Sequence, residues 1–121
     1  MIYSNLIVNS NNWSSLTNLW KKNKLPNAFL FYGPQGSGKE GHAIELAALL
    51  NCKKSIKMRA CGSCNSCKKT RSFQHENVKL ILPFPRGNIK SSNDSIKKAF
   101  TNSILLDHRN KLSKKELDPY Y

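Results

Sequence analysis

Ala28-Phe29-Leu30-Phe31-Tyr32-Gly33-Pro34-Gln35-Gly36-Ser37-Gly38-Lys39-Glu40 is the stretch that decides the fold. Its first five residues are a short apolar, aromatic-rich run of the kind that forms a buried strand of a parallel sheet. Gly33-Pro34 punctuates it. Residues 33–39 then spell G-x-x-x-x-G-K, whose glycines let backbone N–H groups turn inward around a phosphate while the lysine reaches the outer phosphates. Downstream, Ala43, Ile44, Leu46, Ala47 and Leu50 recur at helical spacing, which predicts a helix from about Lys39 to Asn51. A strand before the loop and a helix after it is the context that a phosphate loop requires. The expected fold class is therefore α/β, a P-loop core of parallel sheet with flanking helices.

One residue in the loop is out of pattern. Glu40 stands where Ser or Thr supplies a hydroxyl to magnesium. A carboxylate in the first helical turn gains from the helix dipole, by about 0.3–1 kcal/mol, but it also sets a negative charge where a triphosphate would lie. Two readings stay open for Gly33, Gly36, Gly38, Lys39 and Glu40: a retained shape with impaired nucleotide use, or weak nucleotide binding. Hydrolysis is not expected. No Asp-Asp or Asp-Glu pair follows an apolar strand, and Asp94 and Asp107 sit in polar or helical contexts.

Directly after this helix come Cys52, Cys61, Cys64 and Cys67, spaced C-x8-C-x2-C-x2-C. Each C-x2-C places two thiolates on one tight turn, and Gly62 and Ser63 permit it. Four sulfur donors make a closed tetrahedral zinc site, structural because no coordination position stays open. Lys53, Lys54, Lys57 and Arg59 would moderate the thiolate charge. Two disulfides are the competing reading, and a reducing compartment disfavours them. His42, His75 and His108 are possible substitute ligands, but surface or capping roles account for them more simply.

Around this centre the chain is basic. Lys and Arg number 20 against 7 acidic residues, a formal charge of +13. Such a charge favours polyanionic partners, nucleic acid among them, or simply a solvated lysine-rich surface. No basic start followed by an apolar run marks a secretory signal, and no stretch is apolar enough to span a membrane. The expected compartment is the cytoplasm. Asn9 to Asn12 predicts the cap of a helix carrying Trp13, Leu16, Leu19 and Trp20. Val78 to Phe84 reads as a second buried strand. Asp94 or Ser95 predicts the cap of a helix with Ile96, Ala99, Phe100 and Ile104 facing inward.

Leu25-Pro26-Asn27-Ala28-Phe29-Leu30-Phe31-Tyr32-Gly33-Pro34, the loop, the helix and the four cysteines resemble the N-terminal part of bacterial clamp-loader subunits. These are the gamma/tau and delta-prime subunits of DNA polymerase III, of the AAA+ class. In that family a zinc module follows the phosphate-loop helix, and His75-Glu76-Asn77-Val78 is similar to the short segment after it. The likeness covers about residues 13 to 84. Asn27 replaces a frequent His, Glu76 a frequent Pro, and Glu40 the Thr or Ser. The last departure favours delta-prime, whose loop is commonly degenerate and which acts as a rigid stator, over gamma/tau. Arg86 to Tyr121 resembles a longer variant found in some delta-prime sequences.

The resemblance implies three segments. Residues 1–51 begin the AAA+ core, 52–71 form the zinc module, and 72–121 continue the core with a basic helical extension. It implies zinc as a structural cofactor and leaves ATP with magnesium doubtful. The implied partners are other clamp-loader subunits, and through them the sliding clamp and primed DNA, with no membrane. The family's later motifs fall beyond Tyr121, so the chain is expected to be the N-terminal part of a longer subunit. With only two parallel strands it is expected to self-associate when isolated. A gamma/tau-like ATPase fragment and a freestanding basic zinc module that binds nucleic acid are the alternatives.

Overall fold

The computed structural model of the chain describes residues 1–83, 91, 93 and 100–121. Its described helices are α1 (Ser10–Lys21), α2 (Lys39–Asn51), α3 (Asn65–Arg71) and α4 (Asn102–Leu117). α1 starts where the asparagine cluster predicts it. The Asn9 side chain accepts the Asn12 N–H at 3.1 Å, satisfying one of the donors a helix start leaves open. Trp13 is buried and its indole N–H donates to the Met58 carbonyl at 3.0 Å. Leu16 and Trp20 are half-buried beside it, whereas Leu19 turns outward. Asn23, in the left-handed region, ends the helix.

α2 is the axis of the molecule. Ile44, Leu46, Ala48 and Leu49 are buried on it, and the last two have no exposed surface. The helix is apolar nearly all round, so it is covered on more than one side. Trp13, Leu46 and Leu49 form one cluster with Leu16, Trp20 and Phe31 packed against it. Another joins Ile44 and Ala48 to Ile2, Tyr3, Leu6, Ala60 and Cys67. Leu50, the last residue of the helical apolar pattern, is exposed.

The first eight residues carry more of the core than their sequence suggests. The Ile2 N–H donates to both Glu45 carboxylate oxygens, at 3.0 and 3.2 Å, and the Tyr3 N–H donates at 3.4 Å. Without a strand ladder, these backbone donors take a buried carboxylate instead. Burial drives the Glu45 carboxyl above its usual range, and the bond from Tyr3 N–H partly opposes that rise.

The parallel sheet expected from residues 28–32 and 78–84 is not observed. The described part of both runs is unpaired, Phe84 lies outside the described residues, and the one described bridge is the antiparallel pair Ile56–Arg59. Leu30, Tyr32 and Ile81 are 85%, 87% and 89% exposed. An apolar run becomes a strand only when neighbouring backbones accept and donate its hydrogen bonds; these two runs do not supply that to each other.

The expected helix beginning at Asp94 or Ser95 falls largely outside the described residues. The helix observed there, α4, starts later and runs further, through the charged stretch from Lys111. The Thr101 hydroxyl caps it, accepting the Ile104 N–H at 3.4 Å. Ile104, His108, Leu112 and Lys115 share one face and are less exposed than their neighbours. The Tyr3 hydroxyl donates to the Lys115 carbonyl at 3.1 Å, tying α4 to the N-terminal segment. Burial pushes that phenol up to about 12.

Candidate metal centre and phosphate loop

The four cysteines converge because three local structures aim them. Cys52 caps the C-terminus of α2 and Cys64 caps the N-terminus of α3, which carries Cys67. Between them Lys57 and Met58 both have positive φ, and Ile56 and Arg59 exchange bonds of 2.9 and 3.0 Å across them. That is the geometry of a tight two-residue hairpin, and it returns the chain so that the Cys61 N–H donates to Cys52 Sγ at 3.3 Å. Gly62, at φ +76°, lies against the Met1 carbonyl, where a Cβ would come within 2.5 Å.

The four sulfurs lie within 4.8 Å of one another. Zn–S bonds of about 2.3 Å in a tetrahedron set sulfurs roughly 3.8 Å apart, and Cys61 Sγ and Cys67 Sγ are 3.9 Å apart. No disulfide forms among them; a covalent S–S bond spans only about 2 Å. The donor set thus fits a closed tetrathiolate site. Its outer bonds suit thiolates as well. The Cys64 N–H donates to Cys61 Sγ at 3.3 Å and the Cys67 N–H to Cys64 Sγ at 3.5 Å. The Cys64 and Ser63 donors lower the Cys61 thiol to about 5, the Cys67 N–H lowers Cys64, and burial raises Cys67.

The histidines are engaged elsewhere. His75 Nε2 lies 2.8 Å from the Ser66 hydroxyl, which donates to the Asn51 carbonyl at 2.7 Å. This chain of bonds braces α3 against the end of α2. His42 Nδ1 sits 2.7 Å from the Gly38 carbonyl, and His108 lies on α4, so none of the three joins the sulfurs.

At the other end of α2, Gly33, Gly36, Gly38, Lys39 and Glu40 share one loop and helix start. Gly36 and Gly38 adopt φ of +76° and +70°, which glycine accepts without strain. Lys39 turns back on its own loop, its ammonium donating to the Pro34 carbonyl at 2.7 Å. Glu40 is ion-paired with Lys115 of α4, which also donates to the Tyr121 carbonyl at 2.9 Å. Pro119 and Tyr120 lie directly on the helix start. A Cβ on Gly38 would stand 2.9 Å from the Tyr120 ring, and one on Gly41 2.7 Å from Pro119 Cβ. Sequence reasoning missed Lys115, Pro119 and Tyr120, since a contact 75 residues away leaves no local pattern. The available signal was Glu40 itself, an acid in want of a cation.

No described helix is long and apolar enough to cross a membrane. The sequence profile of the family described as "DNA polymerase III, delta subunit" matches residues 8–116. The DNA polymerase III subunit delta' of Bacillus subtilis is 30% identical over 94 residues, 78% of this chain and 28% of that protein. The plant protein STICHEL of Arabidopsis thaliana is 37% identical over 67 residues, covering 55% of this chain and 6% of its own length. The DNA polymerase III subunit gamma/tau of Mycoplasma genitalium is 38% identical over 53 residues, 44% of this chain and 9% of that protein. The chain thus spans less than a third of each of these relatives. No solved structure matches it significantly. The chain belongs to the DNA polymerase III, delta subunit family and is of the bacterial clamp-loader kind.

Proposed function

We propose that the chain is a delta-prime-like clamp-loader segment, which helps load the sliding clamp onto primed DNA without hydrolysing nucleotide itself. The observation that carries this reading is that both charged residues of the phosphate loop are paired within the protein. Lys39 is held by Pro34, and Glu40, standing where a magnesium-binding hydroxyl is needed, is held by Lys115. The loop then serves as a scaffold, and ATP chemistry belongs to neighbouring subunits.

In this reading Cys52, Cys61, Cys64 and Cys67 hold one structural zinc. Bound there, the metal cross-links the end of α2 to α3 and does no chemistry on a substrate. The protein's part is to bring four thiolates together and stabilise them with N–H donors. Residues 1–51 and 72–121 flank this module, 52–71, as parts of one AAA+ core. The exposed Leu30, Tyr32 and Ile81 mark where a fuller parallel sheet would cover the two apolar runs. The isolated chain therefore self-associates, and sedimentation giving a stable monomer would count against that. Other clamp-loader subunits are the direct partners, the formal charge of +13 suits contact with DNA in the complex, and the compartment is the cytoplasm.

The test is clamp loading by an assembled clamp loader carrying Lys39→Ala in this subunit. The proposal expects loading and ATP turnover at native rates. A loss of tenfold or more, about 1.4 kcal/mol in the rate-limiting barrier, would refute it. A second reading, an ATP-binding gamma/tau-like subunit, draws on the 38% identity to a gamma/tau chain. Titration calorimetry separates the two: equal, strong ATP binding by the native chain and Glu40→Thr would favour the second.

A further inference from the structure

The Lys115–Tyr121 segment packs against the start of α2 at the end of the phosphate loop, while residues 33–37 of the loop stay exposed. Lys115 is a buried residue on α4, and a buried ammonium needs acceptors. It finds two: the Glu40 carboxylate, one residue beyond Lys39, and the Tyr121 carbonyl. Pro119 lies on Gly41 and Tyr120 on Gly38, each so close that the glycine has no room for a side chain. The Tyr120 hydroxyl accepts the Ile7 N–H at 2.7 Å. The segment is therefore anchored to the loop by Lys115 and to the N-terminal segment by Tyr120. The cavity left between it and Gln35, Gly36 and Lys39 measures about 210 Å³. Small-molecule sites usually offer roughly 300–1,000 Å³.

We infer that Lys115–Tyr121 is a strap over the helix-start end of the phosphate loop, with Lys115 as the built-in cation for Glu40 and Tyr120 as the cover over Gly38. This deepens the reading of the loop as a scaffold and rests on it. The Lys115 ammonium answers the Glu40 charge without a metal. An aromatic ring against Gly38 takes up volume at the helix start, where an anion would otherwise approach. Nucleotide engages the Gly38–Glu40 end of the loop only when the strap lifts.

The experiment compares the native chain with Lys115→Met and Tyr120→Ala. It measures amide hydrogen exchange at residues 36–41 and binding of ATP with magnesium. Trp13 fluorescence and the thermal transition report whether each variant is folded, and Lys115→Met serves if Tyr120→Ala is not. The strap predicts exchange at 36–41 at least ~10-fold faster in the folded variants, because the cover is released. It also predicts ATP affinity at least ~10-fold higher than in the native chain for Tyr120→Ala, which keeps the Lys115–Glu40 pair; Lys115→Met leaves Glu40 unpaired and is read by exchange alone. Unchanged exchange in either folded variant, or unchanged affinity in folded Tyr120→Ala, overturns it. Failure of the strap leaves the scaffold reading in place, since that reading is tested by clamp loading with Lys39→Ala. Slowed loading in that assay sinks the scaffold reading, and the strap inference with it, whatever the exchange in the strap variants.

Discussion

At its C-terminal end α2 delivers Cys52 to three other cysteines, the four sulfurs lying within 4.8 Å of one another; at its N-terminal end it presents a glycine loop whose Glu40 is paired with a lysine from another helix. The cysteine end is built from residues close in sequence, a hairpin and two helix caps. The loop end is closed by contacts 75 residues apart. Donors set at short spacing make a ligand site that the local chain can aim unaided. A catalytic loop needs distant partners to complete it, and here the distant partner closes the loop instead. One helix thus carries a site shaped for a ligand and a site shaped for the protein itself.

The sharpest way to break this comparison is to remove a sulfur. Structural zinc contributes an apparent ~10–16 kcal/mol in zinc-finger peptides, more than most domains have in total stability. Cys67→Ser, or a strong chelator, is expected to abolish the cooperative thermal transition and release the metal. An unchanged transition would show that the cysteine end needs no ligand. Next in size is Leu49→Ala. Leu49 has no exposed surface and packs with Trp13 and Leu46, so denaturant unfolding should show a loss of ~2–5 kcal/mol. Tyr3→Phe removes the hydroxyl bond to the Lys115 carbonyl. Urea titration should register ~0.5–1.5 kcal/mol, with α4 loosening first in hydrogen exchange.

The smallest effect lies between the two ends, at Glu45. Burial raises its folded-state pKa, so the native fold favours the protonated carboxyl. That contribution is complete below the ordinary carboxylate range and is lost as pH rises through the raised value. Glu45→Gln fixes a neutral group there. Native stability minus that of the variant should fall as pH increases, measured by urea unfolding with metal saturating in both. A difference that rises with pH would reverse the assignment.

The cysteine cluster, the glycine loop and α1 were legible because each is local: a ligand spacing, a turn pattern, a capped periodic stretch. The sheet is not observed among the described residues: Ala28–Tyr32 and the described part of Val78–Phe84 are apolar enough for strands, yet pairing depends on backbones that the pattern does not name. The N-terminal segment was passed over because Ile2, Tyr3 and Leu6 are too few to mark an element alone. They matter only against Glu45, whose burial at zero exposure no charge pattern announces. Lys115 reads as one more surface lysine until α4 folds back.

The most direct test of the account is X-ray absorption at the zinc edge on the chain as purified, with metal content measured on the same sample. One zinc per chain with four sulfur neighbours at about 2.3 Å is the expected result. A folded chain holding no zinc, or zinc with fewer than four sulfur neighbours, would contradict it.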